Sequence, residues 1–300
     1  MIVIDEAQQI NNIGQGLKIL IDQNPDLKII TTGSSSFELS QQIGEPLTGR
    51  KKTFTLFPFS QLELSNIYNK FELKEDLENC LIFGTYPEVV KTSNQIEKRE
   101  ILEELADSYL LKDILMLDKI KNSNKLLDLL KLISFQVGSE VSLNELSRTL
   151  GIDVKTVDRY LDFLEKGFVI KRIGGFSRNL RKEINQKAKY YFWDNGIRNA
   201  VISQFNLLEN RNDQGALWEN FLVMERFKLN EYKRFFANYY FWRTYQKKEI
   251  DLIEEKDGNL SGFEIKWGNK IYKAPKDWSI AYPKASFKII NRENYFDFVL

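Results

Sequence analysis

The 300 residues contain no histidine and a single cysteine, Cys80. The first absence excludes Ser-His and Cys-His nucleophile pairs, a histidine general base and histidine-ligated zinc. The second excludes an internal disulfide framework and thiolate metal sites, and fits a reducing cytosol. No apolar run approaches the roughly 18 residues of a membrane-spanning helix, and the N-terminus lacks a signal-peptide pattern. A cytoplasmic protein without a membrane partner is therefore expected. Excess charge of one sign is also missing: the net charge of +1 argues against a uniformly basic nucleic-acid coat. What remains for chemistry is carboxylate, lysine and arginine, with a hard cation such as Mg²⁺. Apolar residues at 43% and charged residues at 28% are ordinary for a globular chain, here long enough for two or three domains.

The chain opens on an apolar strand that ends in two carboxylates, Ile2-Val3-Ile4-Asp5-Glu6. In a nucleotide triphosphatase Asp5 would hold Mg²⁺ and Glu6 would polarise the attacking water. The usual companion, a phosphate loop of the form G-x-x-x-x-G-K-[ST], is found nowhere in the sequence. A helix is expected over Ile13 to Gln23, then a buried strand over Leu27 to Thr32, a short helix, the Gly49-Arg50 turn and a strand over Thr53 to Phe57. Strands alternating with helices indicate a parallel sheet. Thr32 and Ser34, at the polar tip of the second strand, are placed to sense a terminal phosphate, and Arg50 to act as an arginine finger.

Residues 61–123 read as helical, with a break at Phe83-Gly84-Thr85-Tyr86-Pro87. Over 124–200 the pattern changes. A helix near Leu126 to Ile133 is followed by a capping box at Ser142 to Glu145 and a helix ending at Gly151. A second helix starts near Val154, and strands at Phe168 to Ile173 and Lys189 to Trp193 flank a basic loop. Helix, turn, helix and hairpin compose a winged helix-turn-helix. Eight basic residues against one acid lie between Lys166 and Lys189. Lys155, Thr156 and Arg159 on the second helix, with Arg178 in the loop, are the candidate DNA contacts. Domain packing and a solvated charged face are the competing readings.

Residues 201–300 read as a further α/β unit: a helix from Gln214 to Leu229, then strands at Tyr239 to Thr244, Ile250 to Glu255 and Leu260 to Trp267. Asp257-Gly258 is a two-residue hairpin signal. That turn sets Asp251 opposite Glu264 and Glu249 opposite Lys266, all on one face, with Ile250, Leu252, Phe263 and Ile265 on the other. Opposed like charges need an offset, which a divalent cation or Lys266 provides. This Asp…Glu-x-Lys pattern resembles PD-(D/E)xK nuclease-like sites. The resemblance implies that Asp251 and Glu264 ligate Mg²⁺, that Lys266 activates a water, and that Glu219 on the preceding helix is a further metal ligand.

Taken in order, Ile4-Asp5-Glu6-Ala7-Gln8, Thr32-Gly33-Ser34-Ser35-Ser36, Leu47-Thr48-Gly49-Arg50, Pro58-Phe59-Ser60 and Gly84-Thr85-Tyr86-Pro87 extend the likeness. Asp194-Asn195-Gly196 and Gly215-Ala216-Leu217-Trp218-Glu219-Asn220 continue it. The whole chain resembles prokaryotic AAA-type ATPases with an uncharacterised C-terminal nuclease-like domain. The implied fold class is α/β: a partial P-loop ATPase parallel sheet (1–60), a helical segment (61–123), the winged helix-turn-helix (124–200) and a restriction-endonuclease-like domain (201–300). ATP and Mg²⁺ are the family's cofactors. Without the phosphate loop this chain is expected to bind ATP weakly and not to hydrolyse it alone. DNA, an upstream fragment that completes the ATPase sheet, and further copies in an oligomer are the candidate partners. The rival readings are a Mg²⁺-dependent nuclease-like DNA-processing protein and a non-enzymatic winged-helix DNA-binding protein.

Overall fold

Strand β1 (Ile2–Ile4) lies parallel to β2 (Ile29–Thr31), in the register Ile2 to Ile29 and Ile4 to Thr31. Between them runs helix α1 (Ile13–Gln23), so the unit is one β-α-β crossover. In the computed structural model, residues 1–33, 47, 49–110, 123–177, 187–244, 246–269 and 272–300 are described. The α1 limits follow the apolar spacing, with Ile13 and Leu17 buried against Ala7 and Leu47 in a small core of their own.

The expected strand at Thr53 to Phe57 does not form. A strand exists only when its backbone groups find a ladder, and among the described residues the N-terminal sheet has two strands, β1 and β2. Phe54 and Leu56 are exposed, Leu56 to 94%. Phe57 instead stacks on Trp193 with ring centroids 4.8 Å apart, leading the chain into the main body.

Short helices follow: α2 (Gln61–Leu64), α3 (Lys70–Glu75), α4 (Leu77–Phe83), α5 (Pro87–Lys91) and α6 (Gln95–Glu104). Ser60 with Glu63, and Asn69 with Glu72, form reciprocal capping boxes. Next come α7 (Ser123–Phe135), β3 (Glu140–Val141), α8 (Leu143–Leu150), α9 (Val154–Lys166), β4 (Ile170–Gly175) and β5 (Ala188–Phe192). At Ser142 the forward half of the expected box is present, its hydroxyl accepting from Glu145 N at 3.4 Å.

The remaining elements are α10 (Asn195–Val201), α11 (Gln214–Tyr232), β6 (Asn238–Arg243), β7 (Glu249–Lys256), β8 (Asn259–Ile265), α12 (Lys276–Ala281), β9 (Ser286–Ile290) and α13 (Phe296–Val299). The β4–β5 hairpin and the C-terminal strands share one seven-stranded sheet, ordered β3-β5-β4-β6-β7-β8-β9. The join is a parallel contact of Gly174 with Tyr240 and Gly175 with Phe241. One apolar core runs from Leu77 to Val299, so residues 124–200 and 201–300 fold onto a common interior.

The β7–β8 turn has φ of 52° at Asp257 and 78° at Gly258, the positive pair that a type I′ hairpin requires. The register follows from it, with Lys256 on Asn259 and Leu252 on Phe263. One alternation fails. Against β6 the ladder shifts between Tyr240 and Trp242, because three residues of β7 span two of β6. This bulge places Ile250 with Ile253 and Trp278 in a second apolar cluster, whereas Leu252 and Ile265 belong to the main core. Ile250 and Leu252 therefore do not share a face.

Candidate functional site

At the tips of β1 and β2 the Thr32 hydroxyl donates to the Asp5 carboxylate, and Glu6 N donates back to Thr32 Oγ1 at 3.3 Å. Two backbone bonds, Thr32 N to Ile4 O and Ala7 N to Thr32 O, both 2.9 Å, fix the strands at this end. Glu6 stands in the left-handed region at φ 48°, a conformation that costs a non-glycine residue of order 1 kcal/mol or more. It turns the chain from strand into the Ala7–Gln9 turn of helix and leaves both carboxylates exposed. An exposed carboxylate beside a hydroxyl fits a Mg²⁺ ion that keeps water and phosphate oxygens as its other ligands. The Arg50 guanidinium is held by Asp22 on α1. Ser34 lies outside the described residues.

The second group lies at the other end of the chain. Lys189 of β5 is buried to 1% exposure, and its ammonium meets three carboxylates: Glu219 of α11 at 3.2 Å, Asp251 of β7 at 3.9 Å, and Glu249 of β7. Lys266, just past β8, reaches Glu264 at 2.7 Å and Asp251 at 3.5 Å. The Tyr191 hydroxyl donates to Glu219 Oε1 at 2.7 Å, and Ile265 N donates to Asp251 Oδ2 at 2.7 Å. Gly138 lets the backbone close over Glu219, since a Cβ there would stand 3.0 Å from Oε1.

Burial raises the Glu219 carboxyl to about 7, with the Asp251 charge adding to it and Lys189 opposing. Glu264 rises to about 7 for the same first reason, with Asp251 next, and its Oε2 is buried without a hydrogen-bond partner. Burial alone would lower the Lys189 pKa, but Glu219 and its neighbours outweigh that and hold it well above its ordinary value. Burial pushes the Cys80 thiol up, which leaves it a poor nucleophile.

The sequence thus places Asp251, Glu264, Lys266 and Glu219 in one neighbourhood, but it reads Lys189 only as one of the basic residues of the hairpin and not as a member of this cluster. The two ammonium groups separate the acids: Lys189 stands between Glu219 and Asp251, and Lys266 between Asp251 and Glu264. Among the described residues no three acidic side chains are arranged to hold a metal ion. The residues present do not fit the divalent cation that the nuclease resemblance implies.

The candidate DNA-contacting helix is α9. Lys155 and Arg159 are exposed on it, but Asp158 and Asp162 share that exposed surface. The Thr156 hydroxyl is taken by the helix cap, donating to Asp153 at 2.6 Å. Of the eight basic residues expected to charge the hairpin, Lys166 pairs with Asp162 at 2.6 Å and Lys171 with Glu165 at 3.1 Å. Lys189 is buried, so the excess read from the sequence is partly neutralised within the fold. Arg178 lies outside the described residues.

The remaining motifs meet in the interior. Asp194 accepts from Thr85 N at 2.7 Å and from Ile197 N at 3.2 Å. Phe59 N donates to Thr85 O, and Gln61 N to Glu225 Oε2 at 2.5 Å. Lys228 reaches Phe59 O at 3.3 Å and Glu225 at 2.9 Å. Asn220 donates to Asn195 Oδ1 at 2.6 Å, and Asn195 donates to Leu81 O and Leu217 O. These segments form a buried polar junction between the helical layer and the sheet, where most groups are paired with one another, Gln61 Oε1 being an exception, and where substitution strands a partner.

Three family models match the chain. Residues 1–65 match an AAA domain, residues 74–208 a domain of unknown function (DUF8612), and residues 214–294 another (DUF4143). An uncharacterized protein of Mycobacterium tuberculosis, Rv2008c, is 26% identical over 269 residues, covering 89% of this chain and 58% of its own length. An uncharacterized protein of Haemophilus influenzae is 27% identical over 69% of this chain and 55% of its own. An uncharacterized protein of Methanocaldococcus jannaschii, MJ1544, is 25% identical over 74% and 51%. The chain thus spans little more than half the length of the curated relatives it matches. No solved structure matches significantly. No helix among the described residues is long and apolar enough to cross a membrane. With an AAA match over the segment that carries Asp5 and Thr32, and a DUF4143 match over the C-terminal strands, the findings support an AAA-like ATPase-family protein.

Proposed function

We propose that the chain works within an AAA-type ATPase. In this reading Asp5 is the Mg²⁺ ligand, Glu6 the carboxylate that polarises water and Thr32 the phosphate sensor. The observation that carries the reading is the Thr32 hydroxyl on Asp5 across two parallel strands, which sets a sensing group and a metal-binding carboxylate side by side. The 300 residues contain no G-x-x-x-x-G-K-[ST] loop, so residues outside them are expected to grip the phosphates. An in-frame phosphate loop encoded ahead of Met1 is the supporting observation to look for. The chain alone is expected to show no ATP turnover. Robust hydrolysis that Asp5→Ala abolishes would overturn this.

The nucleotide-linked unit is joined to a body proposed to be DNA-associated. Its α7, β3, α8, α9 and β4–β5 succession is the order of a winged helix-turn-helix. The β7–β8 hairpin, with Asp251, Glu264 and Lys266 near its open end, favours a nuclease-derived fold for the C-terminal strands. DNA cleavage is not expected of that fold here, because the acids are occupied by Lys189 and Lys266 and do not fit the divalent cation it needs. Incubating the chain with DNA and Mg²⁺ beside Asp251→Ala and Lys266→Ala tests this, and cleavage that either substitution abolishes would overturn it.

A further inference from the structure

We propose that the Lys189 ammonium is the resident cation of the C-terminal carboxylate cluster, and that it closes the cluster to divalent metal. Three acids from two elements, Glu219, Glu249 and Asp251, all lie within 4 Å of its Nζ. They therefore converge on one point, and that point is filled. The side chain that fills it comes from β5, outside the α11 and β7 elements that supply the acids.

The lysine is held there by more than charge. Its strand is paired on both sides, with Glu140 of β3 and with Ile173 of β4, and its ammonium lies 5.5 Å from the centre of the Phe241 ring. The Tyr191 hydroxyl donates to the same Glu219 oxygen that Lys189 meets, and Gly138 packs against that oxygen. A buried ammonium is stable only when acids surround it, and buried acids this close are stable only around a cation. Each requirement meets the other, so the cluster is an ionic junction tying the β4–β5 hairpin to the C-terminal strands. It has no need of Mg²⁺. Removing the ammonium leaves an oxygen-lined, negatively charged recess of the kind hard cations fill.

The test measures cation binding, with no reliance on nuclease activity. Tb³⁺ luminescence and Mn²⁺ titration calorimetry are carried out on the wild-type chain and on Asp251→Asn, Lys189→Ala, Lys189→Arg and Lys189→Ala/Asp251→Asn. Wild type and Lys189→Arg are expected to give no saturable binding that depends on Asp251, whatever Asp5 at the other end of the chain contributes. Lys189→Ala is expected to bind, and the double variant to lose that binding. Thermal melts with and without Mn²⁺ run beside them: no shift is expected for wild type, and a loss of several degrees that Mn²⁺ restores is expected for Lys189→Ala. Saturable binding by wild type that Asp251→Asn removes would overturn the proposal. So would a folded Lys189→Ala that binds nothing, or a Lys189→Ala whose melting Mn²⁺ leaves unchanged.

Discussion

Gly84 and Asp194 are packed so closely that a Cβ on Gly84 would lie 1.9 Å from the Asp194 Oδ1. Gly84 also holds φ at 71°, a region closed to most L-residues. Both constraints act at the junction where Asp194 accepts from Thr85 N. Gly84→Ala is expected to lower stability by about 3 kcal/mol or more, read as a fall in the urea midpoint at unchanged slope.

Asn220 acts as a surrogate strand for the end of β5. Its Oδ1 accepts from Phe192 N at 2.7 Å and its Nδ2 donates to Phe192 O at 2.9 Å. Asn220→Leu keeps the volume but leaves both backbone groups unpaired in the core. A loss of about 2–4 kcal/mol is expected in the same denaturation experiment.

Two raised carboxyls set a pH dependence. Glu219 and Glu264 titrate at about 7 when folded, against an ordinary 4.5. For a raised pKa the contribution is fully present below the unfolded value and is lost as pH rises through the folded one. Stability from these groups should therefore fall between about pH 4.5 and pH 7, by at most about 3 kcal/mol each. Glu219→Gln and Glu264→Gln should flatten that slope in chemical denaturation run across the window; an unchanged slope contradicts the assignment.

The N-terminal unit should open before the rest. Its core is small and separate, and a two-stranded sheet is marginal on its own. Thr32→Val removes the bond to Asp5 and is expected to cost about 1 kcal/mol locally. Hydrogen exchange should rise over residues 1–33 while β4 through β9 keep their protection. A uniform rise across both would show that the two cores unfold together.

If α9 docks on DNA, reversing Lys155 and Arg159 to glutamate should weaken binding and lower the salt dependence by roughly one unit for each phosphate no longer neutralised. Anisotropy titrations at several salt concentrations provide the measurement. Affinity and slope that stay unchanged would assign the exposed surface of α9 to another role.

Much of the fold was legible residue by residue. The apolar spacing of Ile13 to Gln23 gives α1 with the observed limits, and the helix from Gln214 runs only three residues past its expected end at Leu229. The Thr53 to Phe57 strand was misread because its composition suits a strand but strand formation needs a neighbour to pair with. The basic excess between Lys166 and Lys189 is partly neutralised in the fold, since a count of charges carries nothing of where Asp162, Glu165 and Glu219 will stand.

By itself the sequence determined what short-range geometry controls. Asp257-Gly258 accepts positive φ at both turn positions, and two-residue alternation then dictates which residues pair across β7 and β8. Tertiary structure alone decided the fate of the charges gathered there. The bulge opposite β6 turned Ile250 away from Leu252, and β5 carried Lys189 into the acids of α11 and β7. The reason is physical: a turn is fixed by its own torsions, whereas a buried charge takes its partners from whatever the packed chain brings within a few ångströms.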